Sequence, residues 1–174
     1  RREMDLRMLD SLVRQGKAGG CFFFGIMGGE PLLHGGIFDL FAKHPDAYFL
    51  LFTNGTLITD ETARAMRRLG NVSPLVSIEG TRSSSDARRG GVNVYGRAMA
   101  GLDHCRRNRL ITGAATSVCR SNLHDLASES FMRDLAERGV HYLWYYIYRP
   151  VGPRPEPELA LDAAQVAELR RFIV

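Results

Sequence analysis

Runs of apolar residues alternate with helical repeats along the whole chain. Five apolar runs predict strands over 21–27, 48–52, 75–78, 111–119 and 141–148. Helical spacing predicts helices over 4–15, 37–42, 94–108 and 125–138. Capping residues predict two more, one from Thr59 or Asp60 to Leu69 and one that starts near Asp162. Continuously apolar strands are typical of a parallel sheet that is covered on both faces. The alternation therefore predicts an α/β fold with five parallel strands.

Two architectures fit this alternation, an open doubly wound sheet and a TIM-like barrel. The first strand is not followed by a GxGxxG sequence, which weakens the dinucleotide-binding interpretation. A complete barrel needs about eight strand–helix units and about 250 residues. With 174 residues, the chain is predicted to be a single domain, 1–174, that forms a partial barrel or part of one.

The composition is that of an ordinary globular protein, with 45% hydrophobic and 24% charged residues. No run of about 18 apolar residues predicts a membrane span. The net charge of +4 comes from scattered arginine pairs that do not interleave with aromatic residues, so nucleic-acid binding is not predicted. The chain starts at Arg1 without an initiator methionine or an apolar signal, so we expect a cytoplasmic piece of a longer protein.

The three cysteines do not form a metal or redox motif. Cys21, Cys105 and Cys119 have spacings that match neither a zinc site nor a CxxC pair. Cys21 and Cys119 lie in apolar, strand-like runs, which predicts that both are buried as small hydrophobic residues.

The most informative turn follows the first apolar run and consists of Gly28, Gly29, Glu30 and Pro31. Two adjacent glycines allow the backbone to approach a ligand closely, and the proline stiffens the turn. This turn ends a strand at its carboxyl end, where α/β proteins bind small molecules. The alternative is an ordinary turn between a strand and a helix.

Polar or small residues end the other strands as well. The second strand ends in Thr53, Asn54 and Gly55, and the third in Ser77 and Glu79, whose spacing of two predicts a shared face. The last two strands end in 116–122 and 148–149. Five such endings at one edge of a parallel sheet predict a ligand site there.

The loop after the third strand carries two adjacent arginines, Arg88 and Arg89, between Asp86 and two glycines. An arginine in such a loop can hold a carboxylate with its planar guanidinium. The alternative is a solvated surface charge.

The order of these motifs resembles the radical S-adenosylmethionine (radical SAM) superfamily, in particular its SPASM-type maturases, which carry accessory iron–sulfur domains. The motifs are GGEP at 28–31, FTNGTLI at 52–58, VSIEG at 76–80 and DARRG at 86–90. The resemblance covers essentially the whole chain. It implies a partial (β/α)6 TIM-like barrel of parallel strands, of which this chain supplies the second to sixth strands.

The resemblance also implies roles for individual residues. The glycine-rich turn matches the motif that meets the amino group of SAM, and the TNG turn matches one that lies near the ribose and methionyl parts of SAM. Ser77 and Arg89 match the pair that holds the carboxylate of SAM. Glu79 matches an acidic position that faces the ligand cavity. The implied cofactor-binding residues are Gly28, Gly29, Glu30, Pro31, Thr53, Asn54, Gly55, Ser77, Glu79 and Arg89. Residues 116–122 and 148–150 would flank the adenine without a specific assignment.

The chain departs from this family in lacking the CxxxCxxC loop that holds a 4Fe–4S cluster. The first strand and the cluster loop are therefore expected upstream of Arg1. In the complete protein, SAM would be cleaved reductively to a 5′-deoxyadenosyl radical that abstracts hydrogen from a peptide or small-molecule substrate, with electrons from an external donor. None of these residues is expected to be catalytic by itself or to ligate metal.

Two other functions stay open at this point. One is a catalytically silent scaffold domain that keeps the SAM fold without a cluster. The other is a non-radical TIM-type lyase that acts on an anionic metabolite. The sequence shows neither a lysine at a strand end nor an evident metal triad, which argues against this function.

Overall fold

The chain forms one curled sheet of five parallel strands with helices on its outside. The computed structural model describes residues 4–82, 85–86 and 93–174. The strands lie in chain order: β1 Phe23–Ile26, β2 Tyr48–Thr53, β3 Val72–Ser77, β4 Gly113–Val118 and β5 Tyr142–Ile147. The helices are α1 Leu6–Ala18, α2 Ile37–Lys43, α3 Asp60–Leu69, α4 Val94–Arg107, α5 Leu123–Leu126, α6 Glu129–Glu137 and α7 Ala163–Ile173. Short 3₁₀ turns span Pro31–Leu33 and Pro157–Leu159. The prediction of five parallel strands is confirmed.

A contact between two distant strands shows how strongly the sheet curls. The ring centroids of Phe52 on β2 and Trp144 on β5 lie 5.9 Å apart. Because β3 and β4 lie between them, a flat sheet would separate these strands by about 14 Å. The intervening inner positions Ser77 and Ala115 are small and pair in register, so the rings can meet above them. The sheet is therefore a half-barrel, which confirms the predicted partial TIM-like fold.

The core has two layers, one on each face of the sheet. The larger layer lies between the sheet and the helices and includes Phe41, Phe49 and Met66. The smaller layer lies on the concave inner face, where Leu50, Leu75 and Ala115 pack with partly buried Phe52 and Tyr142. This second layer fills the lower part of the half-barrel.

Burial on both faces was predicted for every strand, and for β1 and β5 that prediction is wrong. Phe23 on β1 is 56% exposed, and Trp144 and Tyr146 on β5 are 38% and 46% exposed. These two strands form the margins of the sheet, and their inner faces are not covered by the described residues. Cys21, just before β1, is exposed for the same reason, whereas Cys119 is buried as predicted.

Local capping sets the helix boundaries. The side chain of Thr59 accepts a hydrogen bond from Thr62 N, and Gly70 ends α3 with φ +74°, as the sequence predicted. The helix predicted over 125–138 is instead divided in two. The hydroxyl of Ser128 accepts a hydrogen bond from Phe131 N and starts a new helix, α6. No helix of the described residues combines the length and apolarity that crossing a membrane requires.

Candidate functional site at the carboxyl edge of the sheet

The turn after β1 presents open backbone. Gly28 and Gly29 are exposed, and a Cβ atom placed on either would meet no atom within 4 Å. Pro31 is buried and begins the 3₁₀ turn that follows. The turn is thus anchored at Pro31 while its two glycines remain accessible to a ligand.

The Glu30 carboxylate ties this turn to the end of the neighbouring strand. Its Oε1 accepts hydrogen bonds from the Thr53 hydroxyl at 2.8 Å and from Leu32 N at 3.2 Å. Its Oε2 accepts a hydrogen bond from Asn54 N at 2.8 Å. The structure therefore brings Glu30, Thr53 and Asn54 into one hydrogen-bonded group, and much of the acceptor capacity of Glu30 is used inside the protein.

In the turn after β2, Thr53 and Gly55 hold the turn in place, whereas Asn54 has a side-chain donor that is not used within the turn. Thr53 is 2% exposed, and its hydroxyl also accepts a hydrogen bond from Gly55 N at 3.0 Å. Gly55 has φ +76°, and an added Cβ would lie 2.6 Å from Val76 Cγ1. Asn54 Oδ1 accepts hydrogen bonds from Thr56, whereas its Nδ2 has no hydrogen-bond partner among the described residues. Asn54 is therefore the residue of this turn that can offer a donor to a ligand.

A second group forms where β3 and β4 end. Glu79 is buried, and its Oε2 accepts a hydrogen bond from Ser117 N at 3.3 Å. The Asn122 side chain donates to Glu79 O at 3.1 Å and to Ser117 O at 3.0 Å, and accepts from Cys119 N at 2.8 Å. Asn122 thus clips the two strand ends together. The sequence marked it only as a polar strand-end residue, because nothing local links it to Glu79, 43 positions away.

Ser77 lies between the two groups. It is the last residue of β3 and is half-buried, and its hydroxyl makes no hydrogen bond to any described residue. Thr53 pairs with Val76 in the ladder, so the Glu30 group lies on the strand next to Ser77. The structure thus places all the described site residues at one edge of the sheet, whereas Arg89 lies outside the described residues.

A hollow of about 400 Å³ lies among the loop and helices that follow β3 and β4. It is lined by residues of the loop after β3 and of α4 to α6, among them Arg82, Tyr95, Asp125 and Asp134. None of the residues predicted to bind the cofactor lines it.

The described residues do not fit an iron–sulfur cluster. Within 4–82, 85–86 and 93–174, no three His, Cys, Asp or Glu side chains are grouped so that they could hold a metal ion. Cys105 is buried, and burial raises the pKa of its thiol to about 11, which disfavours the thiolate that iron requires. Cys21 lies before β1, at the opposite end of that strand from the glycine turn.

The family model described as the radical SAM superfamily matches residues 1–128. The chain belongs to the radical SAM superfamily. This match confirms the family that the strand-end motifs resembled. It supports an enzyme, and it supports neither a silent scaffold nor a non-radical lyase.

Two curated relatives of this radical SAM chain carry names that refer to tetrapyrroles. An AdoMet-dependent heme synthase of Nitratidesulfovibrio vulgaris is 34% identical over 129 residues, which cover 72% of this chain and 34% of that protein. An Fe-coproporphyrin III synthase of Methanosarcina barkeri is 29% identical over 101 residues, covering 57% of this chain and 25% of that protein. The chain therefore spans about a quarter to a third of the length of these relatives.

The radical SAM fold also recurs in solved structures. SuiB of Streptococcus suis bound to S-adenosylmethionine superposes with a TM-score of 0.82 at 16% identity, covering 99% of this chain and 40% of SuiB. SuiB bound to the precursor peptide SuiA superposes with a TM-score of 0.80, also at 16% identity, and the match covers 99% of this chain and 39% of SuiB. At this identity the likeness supports the fold.

Proposed function

We propose that this chain is the SAM-binding core of a radical SAM enzyme. The observation that carries the proposal is the family match over residues 1–128, which contain every residue predicted to bind the cofactor. Bound SAM would supply the chemistry of such an enzyme, which is reductive cleavage to a 5′-deoxyadenosyl radical for hydrogen abstraction. The described residues would bind and orient SAM and exclude water from it.

The strand-end geometry supports this assignment because SAM carries an ammonium and a carboxylate. The exposed backbone carbonyls of Gly28 and Gly29 would accept hydrogen bonds from the ammonium, and the negative charge of Glu30 would attract it. The free hydroxyl of Ser77 and the guanidinium of Arg89 would donate to the carboxylate. Asn54 Nδ2 would donate to the ribose or methionyl part. Thr53, Gly55, Pro31 and Glu79 would act by fixing the positions of these groups.

The electron must come from outside the described residues. We place the 4Fe–4S ligands elsewhere in the complete protein and propose that an external donor in the cytoplasm reduces the cluster. The complete protein would then be an iron–sulfur oxidoreductase. Support for this comes from the family rather than from a metal site in the described residues.

We further propose a tetrapyrrole as the substrate. Both curated relatives described above have names that refer to heme or coproporphyrin. A peptide is the second candidate, because SuiB, which shares the fold, is described as bound to a precursor peptide. The sequence relatives favour the tetrapyrrole, since their identity to this chain is about twice that of SuiB.

Arg89 provides the test of SAM binding. In the complete protein, Arg89→Ala should weaken SAM binding about tenfold to a hundredfold, because a hydrogen-bonded charge pair contributes roughly 1.5–3 kcal/mol. Arg89→Lys should recover only part of the loss, because an ammonium lacks the planar fork. Anaerobic calorimetry measures the affinities.

Arg88→Ala is the matched control, since Arg88 is one position off the family spacing from Asp86. Its effect on SAM affinity should be smaller than that of Arg89→Ala. Equal affinities of the wild type and Arg89→Ala would show that Arg89 is a surface charge, and absence of SAM binding by the wild type would overturn the proposed function.

A further inference from the structure

Four aromatic side chains line one side of the concave face. Trp144 contacts Phe52, Tyr142 and Tyr146 with ring centroids 5.9, 6.4 and 6.1 Å apart, in tilted or edge-to-face arrangements. We call these four residues the aromatic wall. Trp144 is 38% and Tyr146 is 46% exposed, so the upper part of the wall is open.

The lower part of the wall is rigid. The Tyr142 hydroxyl lies 3.1 Å from Ser73 Oγ, and its ring covers Gly113 so closely that an added Cβ there would come within 2.3 Å of it. The wall therefore stands on a fixed base, and Trp144 and Tyr146 extend from it toward the carboxyl edge of the sheet.

Small residues on β4 leave space beside the open part of the wall. In the β4–β5 ladder, Ala115 pairs with Trp144 and Ser117 pairs with Tyr146. Neither small side chain can fill the volume next to these large rings. The concave face thus presents an aromatic surface beside a low floor, which suits a flat ligand.

A cationic residue follows the strand that carries the wall. Arg149 lies two residues after the end of β5 and is exposed. Among the ion pairs of the described residues, none involves Arg149, whereas Arg120 lies 4.0 Å from Asp162. The guanidinium of Arg149 is therefore exposed at the same end of β5 as Tyr146, where it can bind a carboxylate.

We propose that the aromatic wall and Arg149 bind the planar ring and a peripheral carboxylate of a tetrapyrrole substrate. This inference rests on the proposed function for the substrate class, and it assigns the residues that would select that substrate. The open part of the wall, from Trp144 to Tyr146, rises about 7 Å along β5. An anionic ring system matches this aromatic surface and the charge of Arg149 better than the uncharged adenine of SAM does.

The test uses the complete protein with iron coproporphyrin III as the probe. Trp144→Leu should weaken porphyrin binding about tenfold, because stacking area and aromatic contacts are lost. Arg149→Gln should weaken it about fivefold to tenfold through loss of the charged hydrogen bond. Visible absorbance titration measures porphyrin affinity, and anaerobic calorimetry measures SAM affinity for the same samples.

Two further variants keep the result interpretable. Trp144→Phe retains an aromatic ring and should recover part of the porphyrin affinity even if Trp144→Leu folds poorly. Tyr145→Phe alters the next residue on β5, whose hydroxyl donates to Leu126 O on the opposite face. Its porphyrin affinity should equal that of the wild type.

Each other result overturns the inference in a distinct way. A larger loss of SAM affinity than of porphyrin affinity in Trp144→Leu would assign the wall to the cofactor. Unchanged porphyrin affinity in both Trp144→Leu and Arg149→Gln would remove the wall from any porphyrin site. A wild type that cleaves SAM but does not bind the porphyrin would refute the substrate and the wall while leaving the SAM-binding function intact.

Discussion

At the scale of single residues, Glu30 joins two turns that are 24 positions apart in sequence. Its two carboxylate oxygens accept hydrogen bonds from Thr53, Asn54 and Leu32. These contacts hold the turn of β2 against the turn of β1. The charge of Glu30 also lies next to the exposed backbone of Gly29. Glu30 can therefore serve a bound ammonium in two ways, through its charge and through the position of the turns.

We expect Glu30→Ala to weaken SAM binding in the complete protein by about tenfold or more. The substitution removes a charged acceptor, and hydrogen bonds to charged groups contribute roughly 1.5–3 kcal/mol each. Glu30→Gln should lose less SAM affinity than Glu30→Ala, because glutamine keeps one acceptor oxygen. Anaerobic calorimetry on the three proteins measures the effect.

Glu61→Ala serves as the control, because Glu61 is an exposed carboxylate in the first turn of α3 that makes no hydrogen bond to the described strand-end residues. It should leave SAM affinity unchanged. If Glu30→Ala bound SAM as tightly as the Glu61 variant, the Glu30 carboxylate would have no part in the cofactor site.

At the scale of elements, the connection from β2 to α3 depends on Gly55. Its φ of +76° belongs to the left-handed region, and an added Cβ would lie 2.6 Å from Val76 Cγ1 and 3.4 Å from Ala98 Cα. The turn must therefore pass close to β3 and α4 at once. That close passage places Asn54 at the edge of the sheet.

Gly55→Ala should destabilise the protein by about 2 kcal/mol or more, through left-handed strain of roughly 1–2 kcal/mol and an added steric clash. Gly70→Ala separates the two contributions. Gly70 has a nearly equal φ of +74°, but an added Cβ there meets no atom within 4 Å. Its variant should show the conformational cost alone.

Urea denaturation followed by far-ultraviolet circular dichroism compares the unfolding midpoints of the two variants with that of the wild type. The midpoint of Gly55→Ala should fall further than that of Gly70→Ala. Equal shifts would mean that Val76 and Ala98 move aside and that the close passage is not required.

At the scale of the whole molecule, the half-barrel carries a candidate SAM edge, but its described residues do not form a group that could hold a cluster. The described cysteines are dispersed, with Cys105 and Cys119 buried and Cys21 exposed before β1. Burial also raises the pKa of Cys105 to about 11. These residues therefore cannot supply three accessible thiolates to one cluster.

Residues 1–174 alone should fail to assemble a stoichiometric 4Fe–4S cluster. Anaerobic reconstitution, iron analysis and visible absorption measure this, with the complete protein treated in parallel as the positive control. Four irons per chain and the absorption of a cluster on residues 1–174 would show that the three cysteines can be brought together.

The sequence by itself determined the order and type of the elements and the family. Helix starts at Thr59 and Asp162 follow from side chains that accept hydrogen bonds from the backbone three residues later. Strands follow from apolar runs that end in small and polar residues. Both are local signals, and they predicted the parallel strands. The partial (β/α)6 barrel followed from the length of the chain and from the resemblance of the strand-end motifs to the family. The division of the helix at Ser128 was not predicted. A serine within a helical repeat is compatible either with an exposed position inside one helix or with the cap of a new helix, and the local pattern does not distinguish the two.

Only the tertiary structure decided which residues meet and which stay open. The contacts of Glu30 with Asn54 and of Asn122 with Glu79 join residues 24 and 43 positions apart. The contact of Phe52 with Trp144 depends on the curl of the whole sheet. Exposure of Cys21 and Trp144 likewise depends on their places at the margins of the sheet rather than on their apolar neighbours. Register, curl and strand position arise from long-range packing, which the periodicity of one segment does not encode.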